Sequence, residues 1–148
     1  MSILLAKSNR RQPRLGHYLV LSVFLLFASS ADADQTPSDK VEALHKERIA
    51  VLEELVKLRQ REYSEGISAY DPIARAMDQL ADAKFDAAKT PAERLAVRTT
   101  AVDRWSEFEK LVTAKFEAAL VSQGDLLAAK AGHLRAKLLA AQELVRKE

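Results

Sequence analysis

The sequence predicts an all-α fold: four helices in two antiparallel helical hairpins, an elongated up-down or coiled-coil-like bundle preceded by an N-terminal signal peptide. Three observations carry that expectation. Four glycines and four prolines among 148 residues, with abundant Ala, Leu, Glu, Lys and Arg, favour helix nearly throughout. No stretch alternates apolar and polar residues for long enough to make a strand. One pattern occurs twice: an amphipathic run ends in an aromatic, a short polar break follows, and an Asp restarts the helix. The first copy runs from Tyr63 to Asp71 and the second from Phe116 to Asp125, the mark of a duplicated helix-break-helix unit.

Residues 1–33 read as an export signal. Lys7, Arg10, Arg11 and Arg14 give a positive start, Tyr18 to Ala31 an apolar stretch, and Ala31-Asp32-Ala33 a small-x-small cleavage site. The apolar stretch falls short of the roughly 20 residues a helix needs to cross a bilayer. Cleavage after Ala33 is therefore expected, with an uncleaved signal anchor as the rival and no membrane span once the signal is removed. That places the chain in the periplasm or cell envelope, or outside the cell. The whole chain carries 23 Lys+Arg against 21 Asp+Glu; the leader holds four of the former and, in Asp32, one of the latter, leaving 19 against 20. The pI of 8.9 thus belongs largely to the leader. Beyond it both signs interleave along the helices, which argues against a nucleic-acid surface. There is no cysteine, so an exported chain stands on packing alone, without disulfides or a Cys-borne lipid.

Within a single domain over 34–148, the few breaks set the helices, expected at about 38–65, 72–88, 91–119 and 125–147. Thr36 caps the first, ahead of Pro37 and with Asp39 three residues on. Its apolar positions form two adjoining stripes, Val41, Leu44, Val51, Leu55 and Leu58 in one, Ile49, Leu52, Val56 and Tyr63 in the other. A face that wide suits a helix with two neighbours. Gly66 ends this helix and Asp71-Pro72 starts the next, Asp71 as the cap, with Ile73, Met77, Leu80 and Ala76, Ala83 and Ala87 facing inward. Thr90 and Glu93 form a capping box around Pro91, and Leu95, Val102, Trp105, Phe108, Val112 and Phe116 face inward on helix three. Ser122 or Asp125 caps the fourth helix, whose inward stripe is Leu127, Ala131, Leu134, Leu138, Ala141 and Val145. At about 27 residues each, helices one and three are some 40 Å long, while helix two is nearer 17 residues. One end of the longer helices is thus expected to stand uncovered.

Little in this sequence carries chemistry. Of its three histidines, His17 lies in the leader. His45 follows Glu42 by three residues, the Glu-x-x-His spacing of carboxylate-bridged di-metal bundles, which makes Glu42 and His45 the candidate metal pair. Such sites need a second pair, and ahead of His133 stand Ala129 and Lys130 instead of an acid. A coincidental pair on a charged helix is the better explanation. With no Cys, no Gly-x-Ser-x-Gly elbow and no glycine-rich loop, the expectation is no enzyme, no catalytic residue and no cofactor. Ser68, Asp71, Ser122 and Asp125 read as residues of helix starts. Most aromatics lie on apolar stripes, where core packing explains them. Tyr70, placed before the Asp71-Pro72 restart, is the candidate for an exposed partner contact.

The second copy resembles a recurring segment in the periplasmic tunnel helices of the TolC-like outer-membrane efflux proteins. That segment has an aromatic, Gly three residues on, Ser or Thr three further, Asp three further, then Leu and Ala at two-residue steps. Phe116, Ala119, Ser122, Asp125, Leu127 and Ala129 fall at those positions, with Ala119 in place of the usual Gly. The first copy keeps Gly66 after Tyr63, is one residue shorter before Asp71, and adds Pro72. The resemblance implies an exported, helical, oligomeric channel component with barrel strands. This chain has no strand signal and is too short for such a channel, so what carries over is the packing of helical hairpins and not the pore.

The expected function is a non-catalytic structural or protein-interaction module of the cell envelope, pairing through its helices with a protein partner or another copy of itself. The alternative is a small helical metal sensor or a holdase-like periplasmic chaperone. Membrane-surface association ranks last, because the polar faces carry Asp and Glu as freely as Lys and Arg. No small-molecule substrate is evident.

Overall fold

A computed structural model describes residues 36–146; the expected signal peptide lies outside them. The described chain is all-helical, with α1 (Pro37–Ser64), α2 (Tyr70–Ala87), α3 (Pro91–Glu117) and α4 (Gln123–Val145). No helix among the described residues is long and apolar enough to cross a membrane.

Three of the four helix starts are capping boxes. Thr36 Oγ1 accepts from the Asp39 amide at 3.2 Å while Asp39 Oδ2 accepts from the Thr36 amide at 3.2 Å. Thr90 and Glu93 repeat the arrangement, with Glu93 Oε2 also accepting from the Lys89 amide at 2.7 Å. These backbone donors hold the Glu93 carboxyl below its ordinary range. At α4 the two residues that competed for the cap share it: Ser122 is the N-cap and Asp125 the third-position acid that reaches back, so α4 begins at Gln123 and not at Asp125. Each box satisfies amides that the helix geometry leaves orphaned, worth about 1 kcal/mol apiece.

The start of α2 departs from expectation. Ala69 is its N-cap, with no side-chain hydrogen bond, and Asp71 lies inside the first turn. Pro72 occupies the third helical position, where its missing N–H is still one of the orphans. Burial of Tyr70 explains the early start: its ring stacks on Phe108 with centroids 5.6 Å apart, which draws Tyr70 into the helix. Tyr70, the candidate for an exposed partner contact, is only 9% exposed.

α2 is the centre of the packing. It buries Tyr70, Ile73, Ala76, Met77, Leu80, Ala81 and Ala83. It contacts α1, α3 and α4, whereas α1 has no Cα within 8 Å of α3 or α4. α1 lies antiparallel on α2: Glu42 meets Lys89 at one end (2.6 Å), Arg48 meets Asp86 (3.0 Å), and Lys84 meets Glu53 (2.6 Å). α3 and α4 form the second hairpin, tied by Arg94 to Glu143 at 3.2 Å and by His133 to Glu109 at 2.6 Å. Arg135 of α4 reaches Asp78 of α2 at 2.6 Å.

The fourth helix faces the opposite way from the expected one. Its buried residues are Ala129, Ala136 and Glu143, while the leucine stripe points to solvent, with Leu127 58%, Leu134 65%, Leu138 58% and Val145 72% exposed. The reason sits on α3. Trp105 presses on Gly132 so closely that an added Cβ would lie 2.3 Å from the indole, and only a stripe of small residues lets the backbones approach that near. On α1 the second stripe packs, through Val56, Tyr63 and the partly buried Ile49 and Leu52. The first stripe, expected to meet a second neighbour, leaves Val41, Leu44, Val51 and Leu58 exposed. Phe116, expected inward on α3, is also exposed, at 38%.

Candidate functional site

The fold brings the two copies of the repeated break to the same end of the molecule. After α1, Gly66 adopts φ +76°, and after α3, Ala119 adopts φ +57°. Both belong to the same hydrogen-bonded corner. Gly66 N–H donates to Tyr63 O (3.2 Å) and Ile67 N–H to Glu62 O (2.8 Å); Ala119 N–H donates to Phe116 O and Leu120 N–H to Lys115 O, both at 2.9 Å. This is the Schellman closure, formed twice. The hydrophobic residue that follows each left-handed position, Ile67 in one and Leu120 in the other, is 72% and 70% exposed.

Left-handed backbone costs an L-residue roughly 1–2 kcal/mol, and glycine nothing. A Cβ at Gly66 would meet no atom within 4 Å, so Gly66→Ala isolates the conformational term. Denaturant titration is expected to show Gly66→Ala losing about 1 kcal/mol and Ala119→Gly gaining a similar amount. Equal and opposite shifts would establish that the two corners are energetically the same motif; an unchanged Ala119→Gly midpoint would refute it.

Between the corners lies an open cleft of about 410 Å³, lined by Tyr63, Tyr70, Lys115, Leu120, Ser122 and Asp125 among others. Lys115 joins the two halves. Its Nζ donates to the α1 carbonyls of Tyr63 (2.9 Å) and Ser64 (3.1 Å) and stands 5.0 Å from the Tyr63 ring centroid, a cation at a helix C-terminus that needs one. Beneath, Tyr63 meets Phe108 edge-on at 5.3 Å and Trp105 meets it at 6.0 Å. The Tyr63 hydroxyl is buried with no hydrogen-bond partner among the described residues. Burial pushes both phenols upward, and with the help of the Asp78 and Asp71 carboxylates it takes Tyr70 to about 12.

The cleft's polar side chains are engaged in holding backbone. Ser122 Oγ donates to Asp125 Oδ2 at 2.8 Å and accepts from the Asp125 amide; Ser68 Oγ donates to Ala69 O at 3.4 Å; Lys115 caps α1. Of the candidate metal pair, Glu42 is likewise engaged by other side chains. Glu42 is gripped by Lys89 at 2.6 Å and Lys46 at 3.0 Å, and these ammoniums hold its carboxyl down at about 2. His45 takes no part in that cluster, and among the described residues no three His, Asp or Glu side chains converge to hold a metal ion. Sequence reasoning missed the contact between His133 and Glu109, which stand on facing helices.

The second surface feature is the pair of outward apolar rows. On α4 the row is Leu127, Ala131, Leu134, Leu138, Ala141 and Val145, at alternating steps of four and three. On α1 it is Val41, Leu44, Arg48, Val51, Leu55 and Leu58, at alternating steps of three and four. That alternation is the seam of a coiled coil. Leu55 is half-buried against the core, and the Arg48 guanidinium is held by Asp86, so its aliphatic stem completes the α1 row. No family model, no curated protein and no solved structure matches this chain.

Proposed function

We propose that the chain is a non-catalytic protein-interaction module of the cell envelope, a pair of helical hairpins resembling those of efflux-channel tunnels and carrying no pore of its own. One observation supports this above the rest: α4 packs Ala129 and Ala136 inward and turns Leu127, Leu134, Leu138 and Leu144 out. Contiguous exposed apolar rows mark interaction surfaces, and a regular alternation of threes and fours suits another helix better than an irregular client or a small ligand. The metal-sensor alternative has no comparable support, since Glu42 is already neutralised by two lysines.

A photo-reactive residue placed at Leu134 or Val51 of the full chain in living cells is expected to give a discrete covalent adduct with an envelope protein or another copy. The adduct made at Val51 should be lost when Leu138→Lys or Leu44→Lys interrupts the rows. Only uncross-linked chain at both positions would sink the proposal. Suppression of aggregation of an unfolded client, abolished by the same lysines, would favour the holdase reading instead.

A further inference from the structure

The two rows fit each other. We propose that α1 of one copy packs antiparallel against α4 of a second copy, forming a two-helix seam between chains; this rests on the interaction-module reading and names its partner. Aligned so that Leu44 faces Leu138, the central layers are Val41 with Ala141, Arg48 with Leu134, Val51 with Ala131, and Leu55 with Leu127, and at the ends Leu58 faces Gly124 and Val145 faces Pro37. The central layers each set a large side chain against a smaller one or join two leucines, the size alternation that close packing favours. No charged side chain opposes a like charge within the seam.

The flanks select this pairing over its rivals. In an antiparallel coiled coil, the residues that precede the first apolar position of each heptad face their counterparts across the seam. On α1 these include Glu47 and Glu54; on α4 they are Lys130, Lys137 and Leu144, and the four charged ones are exposed. The chosen register sets Glu47 against Lys137 and Glu54 against Lys130 together. Pairing α4 with α4 in that orientation would bring lysines face to face, and pairing α1 with α1 would do the same with glutamates. Complementary flanks of this kind fix partner and direction more than they add affinity. Within one chain, α1 has no Cα within 8 Å of α4, so both rows are open to a second copy.

The absence of native cysteine makes the test clean. Leu44→Cys and Leu138→Cys, both at exposed positions, are prepared as separate full chains, mixed, and oxidised gently. A disulfide-linked dimer is expected from the mixture and far less from either variant alone. Glu47→Lys with Glu54→Lys should weaken association roughly tenfold in sedimentation, and adding Lys130→Glu with Lys137→Glu to the same chain should restore it. A mixture that yields no linked dimer, from a chain that sediments as a monomer, overturns the proposal. So does a disulfide formed only within one chain when both cysteines are placed together, since α1 and α4 would then close on each other. If the chain is monomeric while Leu134 still cross-links to a different envelope protein, the second-copy proposal fails and the interaction-module reading stands.

Discussion

Gly132→Ala is expected to destabilise the protein by about 2 kcal/mol, lowering Tm by about 8 °C, although alanine is the better helix former by about 1 kcal/mol. The added methyl group would sit 2.3, 2.6 and 2.7 Å from three atoms of the six-membered ring of Trp105, and Trp105 is only 5% exposed, so the indole has nowhere to go. The conflict is specific to that ring. Trp105→Phe shortens the side chain and should relieve it, so a double-mutant cycle is expected to give a coupling of at least about 1 kcal/mol between the two positions. Additive losses in thermal or urea unfolding would show that the close approach of α3 and α4 is not what Gly132 provides.

The second large effect appears at alkaline pH. The Tyr70 hydroxyl is pushed from 10.0 to about 12, first by burial and then by the carboxylates of Asp78 and Asp71. Below pH 10 both folded and unfolded chains hold the proton, and the stabilisation is fully present. Between pH 10 and 12 the unfolded chain loses the proton while the folded chain keeps it, so stability falls as pH rises, by about 2 to 3 kcal/mol over the window. Tyr63, raised in the same direction by burial, adds to the fall. Urea midpoints at pH 7, 10 and 12 are expected to show Tyr70→Phe close to the parent at pH 7 and markedly less sensitive above pH 10. A variant that loses as much as the parent between pH 10 and 12 would contradict the assignment.

Sequence and structure agree where the determinants are local. The caps at Thr36 with Asp39, at Thr90 with Glu93 and at Ser122 with Asp125 are four-residue patterns whose hydrogen bonds close on themselves, and nothing distant competes with them. Asp71-Pro72 has the same local look, yet stacking of Tyr70 on Phe108 overrides it, a contact between residues far apart in sequence. The facing of α4 was hidden for a different reason. Hydropathy assigns the leucines to the core, but which face packs is decided by the partner helix, and Trp105 accepts only small residues opposite it. Gly132 was the available signal, since a glycine inside a helix is costly unless something must come close. The cleft between the corners was half legible: the repeat announced two like turns, and only the arrangement of α1 and α3 around α2 brings them together.

The position of α2 has a consequence for how the molecule opens. α1 packs along α2 and reaches α3 only at its C-terminal end, where Tyr63 meets Phe108 and Lys115 caps it; it buries only Val56 and Tyr63, both in its second half. The first half is held by partly buried Ile49 and by the bridges of Glu42 and Arg48, both solvent-accessible, with Leu52 and the bridge of Glu53 just beyond it. Exposed pairs of this kind are worth up to about 1 kcal/mol each and fade with added salt. The amino-terminal half of α1 is therefore a separate, low-energy opening unit whose fluctuation is tuned by ionic strength, while the hairpin locked by Trp105 and Gly132, with its pairs more buried, responds to it less.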